Sequence, residues 1–255
     1  MKNYNTHLLA IAVAAGSLFF VSCGSDDDEV KPNESTQTQE EQKKDEDKKQ
    51  DDQTQDEPTK PYDHQMPNAV DLGLSVKWAT CNLDADAPED FGGYYGFGCT
   101  DPYPNVEDVS YELYFQYIGG SGTSYTDCGT DKDPLKGIES ISGTKWDAAH
   151  VKLGGKWRLP TKEEVSTLVY YCKWEWTKQN NVEGYRVTAN NGNSIFLPAT
   201  GDWYNTDGTK CLAGYYLTGT HFDYYHTSCI RFTPDKYERN ASYVCNGYSI
   251  RPVCD

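Results

Sequence analysis

Gly154-Gly-Lys-Trp-Arg-Leu-Pro-Thr-Lys-Glu-Glu164 carries the strongest local folding signal in the chain. Thr161 is suited to cap a helix, and Glu164, three positions later, can return the hydrogen bond in a capping box. Apolar side chains then recur with helical spacing at Val165, Leu168, Val169 and Cys172. The stretch therefore predicts a helix over Lys162 to Tyr171 with one buried face.

On both sides of this helix the pattern indicates short strands. Val70, Leu72, Leu74 and Val76 alternate with polar residues and predict a first strand or hairpin. Downstream runs are separated by turn signals such as Asn191-Gly192 and Asp207-Gly208. The runs are residues 185–189, 194–198, 214–219, 229–232 and 248–253.

The remaining segments show less order. Residues 84–142 are rich in Gly, Asp, Pro and Tyr, so we expect loops there, with short strands around 94–97 and 111–117. For Trp174 and Trp176 we expect one buried and one exposed ring. One helix among many short strands predicts an α+β domain dominated by irregular antiparallel sheet.

The N-terminus has the features of an export signal. Lys2 precedes an apolar run, Leu8 to Val21, which is too short for a membrane span and is followed by acidic residues. Phe20-Val21-Ser22-Cys23 resembles the lipobox of bacterial lipoproteins, so we expect a signal peptide over 1–22 and acyl chains, palmitate-like, on Cys23. The alternative is an ordinary secreted protein in which Cys23 is coincidental.

An acidic tether follows the lipobox. Gly24 to Glu29 resembles the signal that directs Bacteroides-type lipoproteins to the outer face of the outer membrane; the alternative is an acidic linker that begins early. Residues 23–67 contain too few apolar side chains to fold, and a flexible coil of this length spans roughly 35 Å. We therefore expect a lipid-anchored protein facing the cell exterior, with one globular domain over 68–255.

Charge limits the possible partners of that domain. The chain holds 39 acidic and 23 basic side chains, of which residues 68–255 hold 24 and 16. Nucleic acid and anionic lipid surfaces require clustered Lys and Arg, so neither is expected as a partner of the domain. The membrane is expected as a partner only through the lipid.

Nine cysteines are present, and assigning Cys23 to the lipid leaves eight, an even number typical of disulfides in an exported protein. No Cys-x-x-Cys pair occurs, which disfavours a zinc ribbon or a thioredoxin-like site. Cys99 with Cys128 and Cys229 with Cys245 are plausible pairs, but the sequence does not select among the possible pairings.

Several blocks together resemble the Fibrobacter succinogenes major paralogous domain, and the match is collinear over residues 69–255. The blocks are Trp78–Leu83, Gly93–Phe97, Trp146–Ala149, Gly154–Glu164, Trp174–Trp176, Gly184–Thr188, Gly192–Ala199 and Ser249–Val253. The resemblance implies a C-type-lectin-like fold with two short helices, over 147–153 and 162–171. It also implies a small sheet joining the chain ends and long loops between the second helix and the last strand.

The sequence gives little sign of catalysis or of a cofactor. The Glu-Pro-Asn or Gln-Pro-Asp motif of calcium-dependent lectins is missing, and so are nucleophile-elbow and phosphate-loop motifs. His221 and His226 near Cys229 suit a polar surface loop better than a metal site. Formylglycine-generating enzymes share the broad fold but need reactive thiols, so we expect no enzyme, no metal and no cofactor.

A binding surface is the remaining hypothesis. Tyr offers a large amphipathic contact area at low entropic cost, and aromatic residues concentrate in the segment that this fold presents as loops. The candidate ligand-binding residues are Tyr215, Tyr216, His221, Phe222, Tyr224, Tyr225, Tyr237, Arg239, Asn240 and Tyr243. We expect an extracellular glycan or protein as ligand; the alternative is a structural envelope or appendage component that binds neighbouring subunits.

Overall fold

The computed structural model describes residues 63–104, 110–201 and 212–255. The expected signal peptide, the lipidated Cys23, nearly all of the tether, Cys211 and the turn at 207–208 lie outside these residues. The described part is a mixed α+β structure with three α-helices and ten strands. The α+β class is thus confirmed, although the helices outnumber the two expected.

A four-stranded antiparallel sheet brings together strands from near both ends of the described chain. Its strands, in spatial order, are β1 (Ala69–Val70), β2 (Lys77–Ala79), β10 (Val253–Cys254) and β3 (Trp157–Arg158). The alternation predicted after residue 70 is observed, because Leu72 and Val76 are buried and their neighbours are exposed. Within this predicted stretch the paired strands are short: β1 pairs with β2, and Val70 lies opposite Trp78.

The predicted helix has the bounds that its sequence indicates. Helix α3 spans Lys162–Tyr171, with Val165, Leu168 and Val169 buried. The Thr161 hydroxyl accepts from the Glu164 backbone N–H at 3.3 Å, and the Glu164 carboxylate accepts from the Thr161 N–H at 2.8 Å. The capping box is confirmed, and Cys172 becomes the residue after the last helical turn.

Two further helices precede α3, α1 over Tyr111–Tyr117 and α2 over Ala148–Leu153. The expectation of a short strand over 111–117 is wrong: the Ser110 hydroxyl caps the segment at 3.2 Å, and Tyr114 and Phe115 are buried on one side. Helix α2 is capped by Asp147, whose carboxylate accepts backbone hydrogen bonds from Ala149 and His150 of α2 and from Leu159, the residue after β3. This buried carboxylate connects α2 to the segment that follows β3.

Two three-stranded antiparallel sheets complete the fold. They consist of β4 (Lys173–Gln179), β5 (Val182–Thr188) and β6 (Ser194–Pro198), and of β7 (Gly214–His221), β8 (His226–Thr233) and β9 (Lys236–Tyr243). The predicted runs 214–219 and 229–232 lie within β7 and β8, whereas the loops that the resemblance implies for 215–245 are mostly regular sheet. Most residues of β7 and β8 are buried on both faces, Tyr216, Ile230 and Phe232 among them, and this burial stabilises the strands.

The expectation that one of Trp174 and Trp176 is buried and the other exposed is also wrong. Residues two apart on a strand point to the same face of the sheet. Trp174 is buried, and Trp176 is partly buried against the same apolar cluster. Both rings therefore belong to the core.

A buried arginine connects three distant segments of the chain. The Arg251 guanidinium donates to Asn82 Oδ1 at 2.8 Å, to the backbone oxygens of Ala79 and Thr80 at 3.1 and 2.9 Å, and to Phe196 O at 2.9 Å. Burial lowers the pKa of this group below its usual range. The four acceptors replace the water that the cation loses on folding.

Candidate ligand-binding site

The hairpin of β7 and β8 ends in an ordered turn, Phe222–Tyr225. The Asp223 carboxylate accepts from the backbone N–H of Tyr225 at 2.8 Å and of His226 at 2.9 Å, and it contacts His226 Nδ1 at 2.8 Å. Burial alone would raise the pKa of Asp223, but these hydrogen bonds outweigh it and the pKa is lowered. An ionised carboxylate therefore fixes the shape of the turn.

The turn exposes large aromatic side chains. Phe222 is 68% exposed, Tyr224 is 60% exposed and Tyr225 is 37% exposed. The Tyr224 ring lies against the backbone of Gly129, where an added Cβ would come within 2.6 Å of the ring. This contact restricts the Tyr224 side chain in the free protein. Less conformational entropy is therefore lost when a ligand binds to that ring.

The base of the turn is fixed from two sides. His221 N donates to Glu139 O at 3.0 Å, and the N–H of Lys162 donates to the Thr220 hydroxyl at 3.1 Å. Gly219 N also donates to Pro160 O at 2.9 Å. The end of β7 is thereby held between the segment around residue 139 and the start of α3.

A cleft of about 600 Å³ lies on one side of the turn. We call it the acidic cleft, because its charged lining among the described residues consists of Asp133, Glu139, Glu163 and Asp223 with one cation, Lys162. The carboxylates do not converge: within the described ranges no three His, Cys, Asp or Glu side chains are arranged to hold a metal ion.

A second cleft, of about 500 Å³, adjoins the first. We call it the basic cleft; its lining is Lys162, His221, Phe222, Ser228, Arg239, Asn240 and Ala241. Lys162, His221 and Phe222 line both clefts, so the two share a wall. No carboxylate lines the basic cleft in the described part of the chain, which makes its charge opposite to that of its neighbour.

The two cationic side chains of the basic cleft make few polar contacts with other described residues. Among the described residues the Arg239 guanidinium has no ion pair or hydrogen bond. Lys162 Nζ lies 3.7 Å from a Glu163 carboxylate oxygen, and both side chains are about half exposed or more. Exposed pairs of this kind contribute about 0–1 kcal/mol, so both cations are available to a ligand.

His221 separates the two clefts from the core. Its ring packs on Phe97 with a centroid separation of 4.1 Å, and its Nδ1 atom is buried without a hydrogen-bond partner among the described residues. Burial lowers the pKa of this imidazole below its usual value. The ring is therefore neutral at pH 7 and adds no positive charge to the basic cleft.

Seven of the ten residues named from the sequence lie at or beside this site. His221, Phe222, Tyr224, Arg239 and Asn240 line the clefts. Tyr225 and Tyr243 flank His226 in a row of rings, with centroids 6.4 and 4.9 Å from that imidazole. Tyr125 extends the row at 6.0 Å from Tyr225.

The other three residues line neither cleft, and for one of them, Tyr216, the assignment to a binding surface is wrong. Tyr216 is 1% exposed and donates its hydroxyl to Pro198 O at 2.8 Å, so it is a core residue. Tyr215 stacks on Tyr248 at 5.2 Å, and Tyr237 stacks on Trp174 at 4.7 Å. These contacts cover part of both rings, and Tyr237 remains 37% exposed on the same face of β9 as Arg239.

Sequence reasoning did not find the opposite walls of the clefts. Lys162 was named only as the first residue of α3, and Asp133, Glu139 and Glu163 were not named as candidates. These residues come from segments far from the hairpin in sequence. No local signal connects them to it; only the position of Lys162 directly after the capping residue could have suggested a fixed, exposed cation.

The cysteines that the structure describes are unpaired. All seven described cysteines are free thiols, and six are buried. Burial raises the pKa to about 12 for Cys99, Cys128 and Cys229, and to about 11 for Cys245. Such thiols stay protonated at neutral pH, which is unfavourable for nucleophilic chemistry. The expected disulfides stay a prediction.

No helix within residues 63–104, 110–201 and 212–255 has the length and hydropathy of a membrane span. Comparison of the chain with protein-family models, with curated proteins and with solved structures finds no match.

Proposed function

We propose that the protein is a lipoprotein of the bacterial outer membrane, anchored through acyl chains on Cys23 and facing the cell exterior. The lipobox-like ending Phe20–Cys23 and the acidic residues that follow it support this proposal. The tether over 23–67 would hold the domain off the membrane surface.

The domain over 68–255 is proposed to have a C-type-lectin-like fold of the Fibrobacter succinogenes major paralogous type. Three observations support this: strands from both ends of the domain share a sheet, and helices cover 148–153 and 162–171. A long excursion also separates α3 from β10. Helix α1 is an addition to the two-helix pattern.

The proposed function of the domain is to bind an extracellular ligand, a glycan or a protein, without catalysis. The observation that carries it is the turn Phe222–Tyr225, which exposes three aromatic rings beside two adjoining clefts. Exposed aromatic groups next to concave polar surfaces are typical of recognition sites. Their solvent exposure is unfavourable in the free protein and is relieved when a ligand covers them.

A binding screen tests this function. The purified full-length chain is applied to an array of glycans and extracellular proteins, together with a Phe222→Ala/Tyr224→Ala double variant. The control is a Tyr170→Ala/Tyr171→Ala variant, because those rings are 72% and 66% exposed on the far end of α3. We expect a ligand whose affinity falls about tenfold or more in the turn variant and is unchanged in the control.

Two results would contradict the proposal. If nothing binds and the purified chain instead forms ordered assemblies, the structural-subunit alternative is favoured. If both double variants weaken binding equally, the turn is not the site. An enzyme with a reactive thiol is the less favoured alternative, because the raised pKa of the buried thiols opposes thiolate formation.

A further inference from the structure

The basic cleft differs from the rest of the protein in charge. The chain as a whole has a net charge of −16, yet this cleft combines Lys162 and Arg239 with no carboxylate in the described lining. Long-range repulsion from an acidic protein disfavours anions in general. A local pair of available cations therefore points to a specific anionic group that reaches this cleft, rather than to nonspecific attraction.

The shape and neighbours of the cleft indicate what carries that anion. A volume of about 500 Å³ suits a small, compact group rather than a flat protein surface. Phe222 offers an apolar ring face, and the Asn240 side chain, whose Oδ1 accepts from the Ala241 N–H at 2.8 Å, can donate hydrogen bonds through Nδ2. A pyranose ring matches this combination, because it has C–H faces that pack on aromatic rings and hydroxyl groups around its edge.

The acidic cleft restricts the ligand further. It shares the wall of Lys162, His221 and Phe222 with the basic cleft, so a ligand long enough to pass Phe222 enters both. An anion placed among Asp133, Glu139 and Asp223 would be repelled. A chain with a charge on every sugar is therefore disfavoured relative to one with an isolated charge.

We propose that this site binds a glycan that presents one anionic sugar, with a carboxylate or a sulfate ester, next to a neutral sugar. Lys162 and Arg239 contact the anionic group, Phe222 stacks on the ring, and the neutral neighbour occupies the acidic cleft through its hydroxyls. This inference rests on the proposed ligand-binding function and gives its ligand a chemical class.

An array of matched oligosaccharides tests the inference on the purified full-length chain. Each set contains a neutral oligosaccharide, the same chain with one uronic acid, the same chain with one sulfate ester, and the fully uronic chain. We expect a member with one anion to bind about tenfold or more tightly than its neutral and fully charged counterparts. Preference for the carboxylate or for the sulfate identifies the source of the anion.

Variants connect the preference to the cleft. Arg239→Gln and Lys162→Gln should each weaken binding of the singly charged member about tenfold, with little effect on the neutral member. The matched control is Arg186→Gln, because Arg186 is an exposed strand residue of the other three-stranded sheet. Measurements at about 0.15 M salt keep the Debye length near 8 Å and limit the effect of the distant acids.

The outcomes separate the inference from the function on which it rests. If neutral members bind as tightly as charged ones, or if Arg239→Gln behaves like Arg186→Gln, the inference is wrong while binding at the turn stands. The inference is also wrong if no oligosaccharide of the array binds. The proposed binding function is contradicted as well only if no extracellular protein in the earlier screen binds.

Discussion

Replacing Arg251 with Met should strongly destabilise the domain. The Arg251 guanidinium has no carboxylate partner in the contacts that hold it; its four hydrogen bonds go to three backbone oxygens and to Asn82 Oδ1. Met would fill much of the same space but donate nothing. A buried acceptor left without a partner costs about 1–3 kcal/mol, so four acceptors at the low end give a loss of about 4 kcal/mol.

Removing the buried charge of Arg251 does not by itself offset the loss of its hydrogen bonds. Replacing a buried ion pair with apolar groups can be neutral or stabilising when both partners change together. Three of the partners of Arg251 are backbone oxygens, which no side-chain substitution removes. Arg251→Lys keeps the charge but cannot span the same acceptors, so we expect it to lose about half as much.

Urea unfolding of the purified chain measures the effect. The Arg251→Met midpoint should fall by the equivalent of about 4 kcal/mol at unchanged m, and the melting temperature by about 8–16 °C for a domain of this size. Arg186→Met, on an exposed strand position, serves as the control and should stay within about 0.5 kcal/mol. If Arg251→Met loses less than about 1 kcal/mol, the assigned hydrogen bonds do not stabilise the fold as argued.

Three further predictions concern the anchor, α3 and the site. Cys23→Ser should abolish acylation and release the protein from membranes with an unchanged melting curve; a variant that stays membrane-bound would contradict the lipid anchor. Thr161→Ala should cost about 1 kcal/mol by urea unfolding, whereas Thr161→Ser should keep most of the stability. His221 has a lowered pKa when folded, so the unfolded chain binds its proton first as the pH falls below about 6.5. Stability present above that pH should be lost as the pH falls through the folded pKa, and His221→Gln should flatten the unfolding midpoint between pH 7 and pH 5.

Helix α3 could be predicted to the residue because all of its signals are local. The capping residue, its reciprocal Glu164 and the apolar positions lie within ten residues of one another. Helix α1 was missed because its residues, mostly Tyr and Phe, have weak helix propensity, and it is stabilised by burying Tyr114 and Phe115. Tertiary contacts of that kind cannot be predicted from the local sequence of a Gly- and Asp-rich segment.

The site was predictable only in part, for a related reason. The concentration of aromatic residues after residue 214 indicated the correct hairpin. Composition does not show, however, that Tyr216 lies within β7 with its ring in the core while Phe222 lies in the turn beyond β7 with its ring in solvent. Nor does it show that Lys162 and Glu139 both line the acidic cleft, because the fold brings them there from distant segments of the chain.

The motif that specifies the fold also fixes the site. Thr161 begins α3, and the next residue, Lys162, both donates its N–H to Thr220 and contributes its side chain to the clefts. The end of β7 is therefore positioned by the same contacts that stabilise the frame. Phe222, Tyr224 and Arg239 project from that frame with most of their contacts left to solvent, so they can change without unfolding it. Proteins that share the frame should consequently differ in ligand mainly at the turn and on β9, while the capping box stays constant.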